Sequence, residues 1–284
     1  MTVTIVHAPP LPARDGLKVE VRRSLPVRLW QSGFVRKSLL ILALALLWEG
    51  YARYLQNPLL FPTLTATVQS MIEGFVEGPL LERSLTSLRV LLTGYAIGIG
   101  LAGLLTIFAI NTRLGSDLLE TLTAMFNPLP AIALLPLALI WFGLGVKSIL
   151  FVLVHSVLWP VSLNTHSGFM SVSQTLRMVG RNYGLRNLRF VFQILIPAAF
   201  PSILAGLKIG WAFAWRTLIA AELVFGVSSS QGGLGWYIFE NRNLLEIPAV
   251  FGGLLTVIVI GLIVENGVFR TLEARTVRRW GMQS

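Results

Sequence analysis

Long apolar runs separated by short polar, mostly basic stretches set the pattern of this chain. Ser38–Leu55 reads as a first membrane span, entered from Arg36 and Lys37. The pair imitates the basic start of a signal peptide, but it lies far from the N-terminus and no small-residue cleavage site follows, so the span is read as retained. Phe61–Glu77 is mixed, with Pro62 and Thr63 opening an amphipathic helix expected at the outer surface. Leu85–Ile110 is long enough to cross, since 26 residues rise roughly 39 Å in a helix. A short turn, Asn111–Asp117, leads to Leu118–Phe142, a third span interrupted by Pro128, Pro130 and Pro136. Lys147–Phe169, Ala198–Leu223 and Val250–Thr271 follow as spans four to six, with Gly226–Gly235 read as a loop.

One stretch breaks this rhythm. Ser171–Pro201 is a polar, basic insert between two apolar runs. Ser173 suits an N-cap, and Leu176, Val179 and Tyr183 recur at helical spacing, so Ser173–Tyr183 is predicted as a short helix. Gly184 stops it, because glycine enters the left-handed C-cap conformation without steric penalty. A second helix, Leu188–Ile196, is expected to end at Pro197. Such an object serves a soluble partner better than it serves the bilayer.

Composition narrows the class. Hydrophobic residues make up 54% and charged residues 13%, and mean hydropathy is +0.72, which excludes an ordinary soluble domain. The 26 Gly and 14 Pro suit closely packed or broken membrane helices. There is no Cys, hence no disulfide framework or thiolate metal site. The net charge of +10 is placed at span ends, which points to membrane orientation and away from nucleic acid. Six spans put both ends on one side. Sixteen Lys/Arg fall on the side of the tails, the Asn111–Asp117 turn and the insert, against five on the other, so that side is expected to be cytoplasmic.

The Gly184 turn, eleven further residues, then Ile196-Pro197-Ala198-Ala199 and Pro201 resemble the EAA loop of binding-protein-dependent ABC transporter permeases. Ser202–Leu223 is similar to the following span of the nitrate/sulfonate/taurine/bicarbonate permease group, Asn127–Gly145 to its Pro-rich third span, and Leu60–Thr65 to its entry to the periplasmic helix. The resemblance covers roughly Ser38–Arg270. In one respect the chain departs from it, because the family's Glu-Ala-Ala falls on Met178-Val179-Gly180.

The resemblance implies an all-α, six-span permease of the type I ABC importer (MetI-like) fold. Residues 1–37 would form a cytoplasmic tail, 38–271 the transmembrane domain with a coupling loop at 171–197, and 272–284 a second tail. It implies a multi-pass protein of the bacterial inner membrane, paired with a second copy, two ABC ATPase subunits and a periplasmic or lipid-anchored substrate-binding protein. The coupling-loop residues it assigns are Gln174, Arg177, Met178, Val179, Gly180, Tyr183, Gly184, Leu185, Ile196 and Pro197. The implied solute is a small anion such as nitrate, a sulfonate, taurine or bicarbonate. An aromatic acid or a vitamin-precursor pyrimidine is the alternative within the group, and an ATPase-independent secondary transporter the alternative outside it.

The remaining motifs fit this frame. No GxxxxGK[ST] occurs, so ATP and Mg would be bound by a partner subunit and the chain itself would hold no cofactor. Gly98–Gly103 is a literal GxGxxG, but it lies mid-span without a βαβ unit; Gly94, Gly98 and Ala102 read instead as a small-residue packing face. The three histidines have no metal-ligand spacing. His155, four residues before Trp159, suits either helix packing or a path-lining role. In the fifth span Lys208, Trp211, Trp215 and Glu222 recur on one face, and Arg216 stands beside them. Charges within a span are costly, so they face a watery path or one another; Lys208 and Glu222 also suit the two interfaces. Together with Asn127, Pro128 and Pro130 of the broken span, these residues are the candidates for a translocation path.

Overall fold

The computed structural model describes residues 33–225 and 232–277. Most of the expected N-terminal tail, part of the Gly226–Gly235 loop and the end of the C-terminal tail lie outside the described residues. All described secondary structure is helical. The chain divides into two units, Met1–Gly50 and Tyr51–Ser284. The first unit contributes most of helix α1 (Gly33–Leu55), an apolar segment of spanning length.

The second unit begins with α2 (Leu64–Val76), capped by Thr63, whose hydroxyl accepts from the Ala66 N–H at 3.1 Å. Helix α3 (Leu80–Asn111) runs 32 residues, five longer at its start than the apolar pattern suggests. The expected seven-residue turn after it is a single residue. Thr112 is extended, caps α4 (Arg113–Phe126) through the Gly115 N–H, and so lets the next helix start at once. A four-residue 3₁₀ turn, Ala131–Leu134, precedes α5 (Leu135–Phe142). Helix α4 and the Ala131–Phe142 segment bend by 88° across the break, the geometry of one broken span or of a re-entrant pair. Of the three prolines, only Pro128 and Pro130 sit in the break. Pro136 lies in the first turn of α5, where its missing N–H costs nothing.

Helix α6 (Val146–Ser171) is followed by α7 (Gln174–Asn182), the short α8 (Asn187–Phe190), a π-helical turn (Val191–Leu195) and α9 (Ile196–Phe225). Pro197 does not end a helix, as the sequence suggests. The Ile196 N–H bonds back to the Val191 carbonyl in the wide turn just before it. That extra residue makes room for the proline ring, and the helical path continues into α9. After the undescribed residues come α10 (Leu234–Asn243), α11 (Ile247–Ile263), a second π-helical turn (Val264–Phe269) and α12 (Arg270–Arg275). The loop read at Gly226–Gly235 thus gives way to helix at Leu234, and α10 carries too weak a pattern to be read from sequence.

Five helical stretches among the described residues are long and apolar enough to cross a membrane, and there are six if the bent pair is one span. Within the second unit, α6 is the most buried of the long helices. A Cβ on Gly94 or Gly98 of α3 would come within 2.8 or 2.7 Å of Leu153 or Val157. Gly206 and Gly210 of α9 approach Asn164 and Val161 in the same way. Both small-residue faces are therefore packing surfaces. Gly100 and Gly103, the other glycines of the GxGxxG, face open space.

Candidate functional site

The break after α4 opens a cavity of about 400 Å³ against α6 and α9. Asn127, Pro128 and Pro130 form one wall, His155 and Trp159 the second, and Phe213 and Arg216 the third. The backbone at Pro130 is extended and a proline has no N–H, so α4 cannot continue here. Phe126 stacks on Trp159, with centroids 5.4 Å apart and planes 15° from parallel. His155 meets Phe126 and Trp159 edge-on at 6.2 and 6.0 Å. Both ring nitrogens of His155 and Nε1 of Trp159 are buried and lack a hydrogen-bond partner within the chain. Most buried polar atoms are paired, so these are exceptions, and being sealed from solvent they leave ring surface facing the cavity.

Arg216 is the cation of this cavity. Its Nε donates to the Ala212 carbonyl at 3.0 Å, and its guanidinium carbon lies 5.2 Å from the Phe213 ring centroid. No carboxylate among the described residues pairs with it.

The other fifth-span candidates lie elsewhere. Lys208 pairs with Glu273 at 2.8 Å and Glu265 at 3.9 Å. Trp211 packs edge-on against Tyr95 at 5.4 Å and beside Phe269. Trp215 donates to the Val257 carbonyl at 3.3 Å. Glu222 is 5% exposed and accepts from Ser87 and the Gly235 N–H at 2.8 Å. The repeating face seen in the sequence is thus turned toward α3 and the last helices, while Arg216, one position on and about 100° around the helix, faces the cavity.

Two further cavities step away from the first. One of about 310 Å³ shares Asn127 and Pro128 with it and reaches Glu120 and His166. The next, of about 650 Å³, shares His166 and is lined by Arg113, Arg177, Arg181 and Arg186. The series ends at the polar loop.

That loop is a built object. The Ser173 hydroxyl accepts from the Leu176 N–H, opening α7. At its other end the Gly184 N–H bonds the Arg181 carbonyl at 2.9 Å and the Leu185 N–H bonds that of Gly180 at 3.1 Å, with Gly184 at φ +75°. This is a Schellman closure. Arg177 donates to the Phe169 and Val172 carbonyls, tying α7 to the end of α6. Gly180 is buried, and a Cβ there would meet Phe190 and Ile194 at 2.9 Å, so α7 also lies directly on the run into α9. Gln174, Met178, Val179 and Tyr183 remain exposed, Leu185 and Ile196 are half-buried, and Pro197 is exposed. Exposed apolar side chains ordered on a capped helix mark an interaction surface.

Phe126, Phe213 and Ser87 were not marked as functional by the sequence. Phe126 immediately precedes the break and Phe213 stands three residues before Arg216, spacings that become informative only once the cavity is known. Nothing in the neighbourhood of Ser87 singles it out.

The family described as the inner membrane component of binding-protein-dependent transport systems matches residues 87–277. A chain of Methanocaldococcus jannaschii named as an ABC transporter permease is 29% identical over 251 residues, 87% of this chain and 93% of its own length. The taurine transport system permease protein TauC of Escherichia coli is 27% identical, covering 83% of this chain and 86% of its own. The nitrate import permease protein NrtB of Synechocystis is 28% identical, covering 82% and 86%. With its helical architecture and bent helix pair, the chain belongs to the family of binding-protein-dependent transport system inner membrane components.

Proposed function

We propose that this chain forms the translocation path of an ABC importer for a small anionic solute of the nitrate, sulfonate/taurine or bicarbonate kind. Two copies enclose the path, and a substrate-binding protein delivers the solute from outside. Two separate ATPase subunits, which hold ATP and Mg, drive transport from the cytoplasm. The Lys/Arg bias supports cytoplasmic termini and a cytoplasmic loop.

The observation that carries this reading is the double attachment of α7. Arg177 fastens it to α6, and Gly180 seats it on Phe190 and Ile194, which lead into α9. A push on the exposed face of α7 is therefore delivered to both helices that wall the cavity holding Arg216. The loop links two states of an ATPase pair to two packings of the spans. The unpaired guanidinium gives the path a positive potential that favours anions.

The test is co-purification from the native host in detergent. The wild-type chain should bring down an ABC ATPase, and Val179→Asp, which places a charge on the exposed face of α7 without touching the core, should lose it. Purification of ATPase-free protein that still moves solute in vesicles would overturn the proposal.

A further inference from the structure

The cavity beside the broken span combines features that an inorganic anion does not use. One wall is the Phe126–Trp159 stack with His155 edge-on to it, and the facing wall carries Phe213 and Arg216. At about 400 Å³ the space falls within the roughly 300–1,000 Å³ of sites that enclose small organic ligands. Nitrate or bicarbonate would gain Coulomb attraction from Arg216 but nothing from the aromatic wall, because neither has apolar surface to remove from water.

Polar capacity is concentrated at few points. The terminal N–H groups of Arg216 have no carboxylate partner among the described residues, and a planar guanidinium fork matches a carboxylate or sulfonate. The nitrogens of Trp159 and His155 are sealed from solvent, so what these residues offer a ligand is ring surface. An aromatic or branched apolar body rests on the ring faces.

The geometry points to a membrane-embedded binding subsite for an organic monoanion, with a sulfonate or carboxylate head held by Arg216 and an apolar body between Phe126, Trp159 and Phe213. This deepens the importer reading and rests on it. It makes the path itself selective for organic over inorganic anions, in addition to any choice made by an external binding protein.

The test is equilibrium dialysis of labelled benzenesulfonate against the purified full-length chain in lipid nanodiscs. Saturable binding is expected, displaced by unlabelled benzenesulfonate but at least tenfold less effectively by methanesulfonate or nitrate. Arg216→Gln should weaken binding at least tenfold, with partial rescue in Arg216→Lys. Phe126→Leu should weaken benzenesulfonate more than methanesulfonate, with unchanged thermal unfolding as the control for folding. No saturable binding, displacement by nitrate as effective as by benzenesulfonate, or wild-type binding in a folded Arg216→Gln variant would overturn the subsite. ATPase co-purification, scored on the same preparations, separates the two proposals. An ATPase-bound chain without the subsite leaves the importer standing, and an ATPase-free chain that binds benzenesulfonate leaves the subsite standing.

Discussion

The Ser87 hydroxyl lies 2.8 Å from both carboxylate oxygens of Glu222, a residue 135 positions away, and accepts the Leu234 N–H at 2.8 Å. One small side chain on α3 thereby joins α9 to the start of α10. The Gly235 N–H completes the set by donating to Glu222, and Gly233 fits so closely that a Cβ there would lie 2.1 Å from Glu222 Oε1. Ser87→Ala should leave the Leu234 N–H and one carboxylate site unsatisfied, at about 1–3 kcal/mol for each buried group. The measurement is thermal unfolding in one detergent, where a clear drop in midpoint is expected. An unchanged midpoint would show that the network does not hold the helices.

Gly180 and Gly184 should respond differently to alanine. At Gly184 nothing lies within 4 Å of an added Cβ, so only the positive φ matters, at roughly 1 kcal/mol. Gly184→Asn should be tolerated better than Gly184→Val, since asparagine visits that region more readily. Gly180→Ala instead drives a methyl against Phe190 and Ile194 and should lift α7 from the run into α9. The expected outcome in reconstituted vesicles is ATP hydrolysis largely retained with uptake sharply reduced for Gly180→Ala, and a milder loss for Gly184→Ala. Equal behaviour of the two would argue against a lever at Gly180.

The glycines of the GxGxxG offer an internal comparison. Gly98→Leu should displace α3 from Val157 and cost about 1–3 kcal/mol, with poor yield of folded protein. Gly100→Ala and Gly103→Ala, facing open space, should be neutral or slightly stabilising, because alanine favours helix. Yield and unfolding midpoint of the three variants decide it. A nucleotide-binding use of the motif would instead penalise all three.

Much of the architecture was legible because hydrophobic run length is a direct requirement of a bilayer, and because the capped helix at Ser173 and the turn at Gly184 depend on local chemistry. The α7 boundaries agree with the sequence reading to within a residue. Pro197 was misread because a proline stop and a proline accommodated by a π-helical turn look alike in one dimension. The face of Lys208, Trp211, Trp215 and Glu222 was recognised as a face, but what it looks at depends on Tyr95, Ser87, Val257 and Glu273, all distant in the chain. The cavity draws on three helices and a break, and no single stretch carries its signature.

Lys208 and Glu273 can be tested by exchange. Both are partly exposed, so the 2.8 Å pair is worth no more than about 1 kcal/mol after solvent screening. Lys208→Glu should do more harm than that figure suggests, since it sets three acidic groups together with Glu265. Adding Glu273→Lys should recover most of the lost stability. A double variant no better than the single one would place the importance of Lys208 elsewhere.

The glycine faces of α3 and α9 let Leu153, Val157, Val161 and Asn164 of α6 seat their side chains directly against backbone. Such contacts behave as keyed joints: each glycine is a notch holding a side chain of α6, which would have to climb out before one helix could creep past its neighbour. The three helices then swing as a single plate, carrying Arg216 and the loop together. Where two copies enclose the path, as proposed, its opening and closing would fall more readily between such plates than within one.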